Sequence, residues 1–262
     1  MRVLTIGDIV SSDGREYVYN NLGKIRRKYN IDYCIANGEN AALTNGITVD
    51  IARSLIDSGV DVVTMGNHTF SNKESATVLN DFERVIRPNN YPPETEGEGY
   101  YIEDLGNVRV AVINSMGRIN MEPLDCPFRE TEKVLEKIKD KADIIIIDFH
   151  CETSSEKLAY AYYFDGKVSA IFGTHTHIQT SDERVLPNGT GYISDLGMTG
   201  VRDSVLGVKK ENSIRMFYTR KHVRFEKAEG EVYFSGCIFD IDEKTGKTTK
   251  TERLYFSENE II

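Results

Sequence analysis

A short apolar run and two closely spaced histidines follow one another in Val168-Ser169-Ala170-Ile171-Phe172-Gly173-Thr174-His175-Thr176-His177. The apolar run predicts a buried strand, and Gly173 permits a sharp turn where that strand ends. In extended backbone, side chains two residues apart point to the same side, so the spacing predicts that both imidazoles face one site. Neutral imidazoles side by side suit a transition metal. The alternative to metal binding is that the two histidines form only hydrogen bonds in a surface loop.

Other predicted strands end in the same way, with a polar side chain soon after an apolar run. These strand ends carry Asp8, Glu39, Asn40, Asn67 and His150. Predicted helices separate most of the strands, which indicates an α/β fold with a mixed or parallel sheet covered by helices. Binding sites in such sheets lie beyond the carboxyl ends of the strands. We therefore expect these side chains to converge with the two histidines, although any one of them alone fits a capping or turn role.

Composition limits the classes of function. The formal net charge of −9 argues against a protein that coats long nucleic acid, whereas a small phosphate ligand held by metal ions is compatible with it. The four cysteines are widely spaced, so neither a disulfide framework nor a structural zinc site is predicted. The longest aliphatic run is too short to span a bilayer, and the first residues indicate a strand instead of a signal peptide. We expect one cytoplasmic domain over residues 1–262, without a membrane partner.

The candidate ligands are too many for one tetrahedral ion and suit two ions bridged by a carboxylate, for which we choose Glu39. Mixed oxygen and imidazole ligands fit iron, manganese or zinc. Two divalent ions beside Asp8 and Glu39 leave a surplus of roughly two positive charges, which attracts phosphate. Such ions also acidify a bridging water. The predicted reaction is therefore hydrolysis of a phosphate ester.

The residues at these strand ends resemble those of the calcineurin-like metallophosphoesterases. The stretches are Gly7-Asp8, Gly38-Glu39-Asn40, Gly66-Asn67-His68, His150 and Gly173-Thr174-His175-Thr176-His177. The wider superfamily usually has Asp-x-His at the first strand and a bridging Asp, where this chain has Asp8-Ile9-Val10 and Glu39. The YmdB-like branch of bacterial cyclic-nucleotide phosphodiesterases departs in the same way. The likeness to that branch covers nearly the whole chain.

This resemblance implies a four-layer sandwich of mixed β-sheets covered by helices. It implies 2′,3′-cyclic nucleotides as substrates, iron as the metal, and self-association into a homo-oligomer. It also implies two ligand sets that share Glu39: Asp8, Glu39, Asn40 and His177 around one ion, and Glu39, Asn67, His150 and His175 around the other.

Our mechanistic hypothesis is that a metal-bridging hydroxide attacks phosphorus while His68 protonates the departing ribose oxygen. Orientation of the neighbouring ligands is the alternative role for His68. Tyrosines and asparagines of the loop Pro88–Tyr101 are candidates for a base pocket, and Cys151 fits a small buried residue better than a nucleophile. The alternative functions are a phosphomonoesterase, such as a nucleotidase, and a metal-stabilised regulatory or RNA-associated protein without turnover.

Overall fold

The computed structural model of the protein describes residues 1–42 and 45–260. Its helices within those ranges are α1 (Ser11–Tyr29), α2 (Val49–Asp57), α3 (Ser75–Asp81), α4 (Pro127–Ile138), α5 (Ser154–Phe164) and α6 (Lys210–Thr219). Its strands are β1 (Arg2–Ile6), β2 (Asp8–Ile9), β3 (Tyr33–Asn37), β4 (Val62–Thr64), β5 (Val85–Ile86), β6 (Tyr100–Asp104), β7 (Arg109–Met116), β8 (Ile144–His150), β9 (Ala170–Thr174), β10 (Arg184–Val185), β11 (Gly191–Ile193), β12 (Met198–Val201), β13 (Val232–Ile241) and β14 (Thr248–Ser257).

The strands of the described residues form two mixed sheets. The larger sheet has the order β2-β12-β13-β1-β3-β4-β5, with β14 paired to β13. Its strands β1, β3, β4 and β5 are parallel, whereas β13 runs antiparallel to β1, β12 and β14. The smaller sheet has the order β10-β11-β9-β8-β7-β6, and its four central strands are parallel. Helical crossovers make this parallel pairing possible, as the alternation of predicted elements indicates.

The sheets pack face to face, and helices cover their outer faces. On α1, the apolar stripe Val18, Leu22 and Ile25 is fully buried against the larger sheet. On the other side, α4 and α5 cover the smaller sheet. The core between the sheets takes side chains from both, including Val3, Ile35, Val62, Val112, Ile146 and Phe172. The predicted α/β class, with mixed sheets covered by helices in four layers, is confirmed.

The C-terminal third departs from the sequence prediction. The sequence predicts antiparallel hairpins over residues 223–256 with a turn at residues 242–246. In the structure, regular pairing begins only at β13, which joins β14 around that turn. Helix α6 was not predicted, and its apolar residues Ile214 and Phe217 are mostly exposed. A helix without a buried face gives a weak periodic signal, which explains why sequence reasoning missed it.

None of the helices among the described residues is long and apolar enough to cross a membrane. The expectations of one domain, a cytoplasmic location and self-association stay predictions.

Candidate metal centre

One group of donors lies where β3, β4, β8 and β9 end. The His150 Nε2 atom is 2.8 Å from Asn67 Oδ1, 3.1 Å from Glu39 Oε1 and 3.1 Å from His175 Nδ1. Glu39, His150 and His175 each offer a ligand atom within 4.8 Å of the other two. Ligands bound at about 2.0–2.2 Å from one ion lie roughly 3–4 Å apart, so this spacing fits a shared ion.

A second group of donors adjoins the first through Glu39. The Asn40 amide nitrogen lies 3.3 Å from Asp8 Oδ1, 3.3 Å from Glu39 Oε1 and 3.2 Å from His177 Nε2. His177 Nε2 is in turn 3.6 Å from Asp8 Oδ1. Amide nitrogen and oxygen exchange places when the side chain turns over, and a ligating Asn40 would present its oxygen. The structure thus brings the predicted ligands together in two adjoining groups, and their roles as metal ligands stay a prediction.

The expectation that His175 and His177 project from extended backbone is wrong. Their φ angles are +102° and +63°, outside the extended region. The two rings consequently turn to different partners, His175 to His150 and His177 to Asp8. Positive φ at non-glycine residues costs free energy, and such strained positions cluster at functional sites. Here it lets one short loop supply a donor to each group.

Opposite charges are tightly coupled in the first group. Burial opposes ionisation of Glu39, but His150 outweighs it and lowers the pKa of Glu39 to about 2. Burial also opposes the charge on His150, yet Glu39 raises the pKa of His150 to about 9. Burial, reinforced by His150, lowers the pKa of His175 to about 4. This coupling favours the charged forms of both Glu39 and His150. An imidazole ligand must be neutral, so a cation bound here would displace the proton from His150.

A buried hydroxyl and a buried carboxylate orient His150 through its Nδ1 atom. The Thr174 hydroxyl lies 2.9 Å from His150 Nδ1 and donates to Asp148 Oδ1 at 2.7 Å. Asp148 also accepts hydrogen bonds from Thr64 and Asn37, and its burial raises its pKa to about 7. A polar partner on the far nitrogen of a ligating histidine fixes the ring and its tautomer. Because Thr174 contacts Nδ1, Nε2 is the His150 nitrogen that faces the other donors.

A buried ion pair supports the loop of His175 and His177. The Lys157 ammonium donates to Asp195 Oδ2 at 2.6 Å and to the Thr174 carbonyl at 3.1 Å. Asp195 also accepts from the backbone N–H of Thr176 and Gly197. Both side chains of the pair are almost completely buried. Because these contacts reach the backbone on either side of His175, the pair fixes where the loop departs from β9.

Glu152 contacts His175 from the solvent side. Its Oε2 atom lies 2.9 Å from His175 Nε2, and the glutamate side chain is 45% exposed. The contact resembles the carboxylate–histidine pairs that support metal sites, but solvent screens it. It is therefore a weaker support than the buried Thr174.

His68 lies beside the metal donors. Its backbone N–H donates to Glu39 Oε2 at 2.8 Å, and its ring Nδ1 is 3.2 Å from the Ser71 hydroxyl. The Asn45 amide nitrogen lies 3.1 Å from ring Nε2. The residue is half-buried, and its ring contacts are those with Ser71 and Asn45. Its position suits both the proton-donor role and the orienting role.

The donor set fits divalent transition metals. It combines carboxylate and amide oxygens with imidazole nitrogens, which iron, manganese and zinc all accept. Cys151 is buried beside Glu156, and burial raises the pKa of its thiol to about 12. A protonated thiol of this kind is a poor ligand and nucleophile, in agreement with its predicted structural role.

Sequence reasoning missed the supporting residues Asp148, Thr174, Lys157, Asp195 and Glu152. The first two lie within a few residues of predicted ligands, and this position on a buried strand was the available signal. Lys157 lies on α5, and only the tertiary structure brings it beneath the loop.

Comparisons with known proteins show which proteins this chain is similar to. The chain is 44% identical over 262 residues to a 2′,3′-cyclic-nucleotide 2′-phosphodiesterase from Bacillus subtilis (strain 168), covering all of this chain and 99% of the relative. A hypothetical protein from Thermus thermophilus superposes with a TM-score of 0.92 at 40% identity, covering 98% of this chain and 100% of the other. An NAD nucleotidase from Haemophilus influenzae shares the fold alone, with a TM-score of 0.59, 14% identity and coverage of 98% and 56%. The YmdB-like protein family matches residues 4–254, so the chain belongs to that family.

Proposed function

We propose that the protein is a dinuclear-metal phosphodiesterase that hydrolyses 2′,3′-cyclic nucleoside monophosphates. The observation that carries this proposal is the convergence of two groups of donors on the shared carboxylate of Glu39. The Bacillus subtilis relative, whose name states that activity, supports the choice of substrate.

Asp8, Asn40 and His177 would hold one ion, and Asn67, His150 and His175 the other, with Glu39 between them. Iron is the metal that the family resemblance favours. The ions, when bound, supply positive charge for the phosphate and acidify the water that attacks it. The chain contributes the fixed placement of the donors, since Glu39, Asp8 and His150 are buried and cannot reorient freely. Such preorganisation avoids a reorganisation cost during the reaction.

His68 is our candidate for the proton donor to the departing ribose oxygen. Its backbone N–H donates a hydrogen bond to Glu39, which keeps the residue next to the metal donors. The Ser71 hydroxyl contacts its ring Nδ1 atom. Ring-opening of a cyclic phosphodiester leaves an alkoxide unless a proton arrives, and a positioned imidazole supplies one near neutral pH.

A substrate panel tests the reaction class. Protein loaded separately with iron, manganese or zinc should open 2′,3′-cyclic nucleotides faster than it hydrolyses 3′,5′-cyclic nucleotides or nucleoside monophosphates, measured by chromatography of the products. Preference for monophosphates would favour the phosphomonoesterase alternative. Hydrolysis of no phosphoester by fully metallated protein would favour the regulatory alternative.

Substitution of His68 tests the proton donor. His68→Ala should lower kcat by about 10²–10⁴-fold while leaving the bound metal unchanged. His222→Ala is the matched control, because His222 is exposed and outside both groups of donors. Loss of metal in His68→Ala would indicate the orienting role instead, and normal turnover would exclude both.

A further inference from the structure

A cavity of about 400 Å³ opens directly beside the metal centre. We name it the nucleoside cavity and define it by His177, Gln179, Arg202, Tyr233, Arg253 and Tyr255. Its volume lies within the range of small-molecule sites, roughly 300–1,000 Å³. His177 belongs both to the cavity and to the donors around Asp8. A ligand whose phosphate lies at the metal centre therefore has this space for its remaining atoms.

The cavity wall presents a flat cation on aromatic rings. The Arg202 guanidinium lies 4.5 Å from the centre of the Tyr233 ring and 5.9 Å from that of Tyr255. It also donates to the Tyr233 hydroxyl at 2.7 Å, and the two rings are 5.1 Å apart. Guanidinium planes and tyrosine rings are surfaces on which single nucleobases stack. The arrangement offers such a surface with its orientation already set.

Hydrogen bonds to the backbone hold Gln179, another residue of the cavity lining. The Gln179 amide donates to the carbonyls of Gly236 and Leu254 at 3.2 and 2.9 Å. The Gln179 oxygen accepts from Arg253 at 3.2 Å, which places this second guanidinium at the cavity. The lining residues include two arginines and no carboxylate. The cavity lining therefore holds no carboxylate that would repel a nucleotide whose phosphate lies at the metal centre.

A second, larger cavity of about 770 Å³ includes Asn89 and Tyr91 of the loop that the sequence suggested as a base pocket. Its lining holds none of the metal donors. It also carries more acidic than basic side chains, namely Glu83, Glu96, Glu98, Asp125 and Glu130 against Arg87, Lys133 and Lys137. Excess negative charge repels a phosphorylated ligand. Position and charge both favour the nucleoside cavity.

We infer that the nucleoside cavity binds the nucleoside half of the substrate, with the base stacked on Arg202 over Tyr233 and Tyr255. This inference rests on the proposed function, because it assumes a nucleotide whose phosphate lies at the metal centre. It assigns substrate selectivity to Arg202, Tyr233 and Tyr255, none of which is a candidate metal ligand.

Direct binding to the metal-loaded protein tests the inference without turnover. Calorimetry should show that Arg202→Ala and Tyr255→Ala each weaken the binding of adenosine 3′-monophosphate by about 5- to 100-fold, as expected for loss of a stacking partner. Inorganic phosphate should bind to both variants within about twofold of the unsubstituted protein, since it occupies only the metal centre. Arg53→Ala, an exposed arginine on α2, is the matched control and should change neither ligand.

Unchanged nucleotide affinity in both variants would overturn the assignment, as would an equal loss for nucleotide and phosphate. Hydrolysis of 2′,3′-cyclic AMP by the same preparations separates this inference from the proposed function. Selective loss of nucleotide binding without any hydrolysis by the unsubstituted protein would sustain the cavity and refute the proposed reaction. Hydrolysis with unaltered nucleotide binding in the variants would do the reverse.

Discussion

The metal centre and the nucleoside cavity adjoin at His177 but are built in contrasting ways. Glu39, His150 and Asp8 are buried where strands end, and further buried side chains hold them in place. Arg202 and Tyr255 of the cavity lie on antiparallel strands or their ends and are exposed. Buried donors are fixed and costly to change, whereas exposed side chains change at little cost to the fold. If the proposed function and the assignment of the cavity are right, reaction chemistry and substrate selectivity should be separable by substitution.

The largest expected effect comes from the carboxylate shared by both groups of donors. Glu39→Gln keeps the size but removes the charge, so turnover should fall by about 10³-fold or more. On the proposed function, the rates for cyclic nucleotides and for bis(p-nitrophenyl) phosphate should fall equally, because the ions would act on the phosphodiester group that both share. Parallel rate and metal analyses measure this. Glu103→Gln, which removes a carboxylate paired with Arg84, is the control. A loss confined to nucleotides would place Glu39 with the cavity instead.

The ion pair beneath the loop links the two regions, since that loop carries both His175 and His177. Lys157→Met leaves Asp195 buried without its cation, so the free energy of unfolding should fall by about 3–5 kcal/mol. Denaturant titration measures this change. Lys133→Met, from an exposed pair with Glu130, should leave the free energy of unfolding nearly unchanged. Equal losses of unfolding free energy in the two variants would show that the buried pair contributes no more to stability than the exposed pair.

The donors were predictable from sequence because each follows an apolar run that reads as a strand, and parallel strand ends converge. The cavity was not predictable in that way. Arg202 and Tyr255 are 53 positions apart on different elements, and only the pairing of β13 with β12 and β14 brings them together. The conformation of His175 also escaped prediction, since its positive φ depends on contacts made elsewhere in the chain. The local sequence pattern thus predicts which side chains lie at the strand ends. Predicting which side chains become neighbours across strands requires knowledge of the sheet topology.

A smaller effect is expected from the hydroxyl behind His150. Thr174→Val keeps the shape and removes the hydrogen bonds to His150 and Asp148, so metal affinity should fall by about 10- to 100-fold. Competition with a chelator measures the affinity. Thr5→Val is the matched control, because it removes a buried hydroxyl that bonds to Cys237 in the larger sheet. Similar metal affinity in the two variants would mean that the hydroxyl serves stability alone.

The smallest effect is expected at Glu152, which contacts the same metal centre from solvent. Glu152→Gln keeps the side-chain length and removes a charge that water screens, so metal affinity should fall by no more than about fivefold. The chelator competition that measures Thr174→Val serves here, at low and high salt. High salt should shrink the difference between Glu152→Gln and the unsubstituted protein, because screening acts on exposed charges. It should leave the Thr174→Val difference intact. A larger loss at Glu152 than at Thr174 would contradict the view that burial, not mere contact with a donor, determines how strongly a neighbour supports the metal.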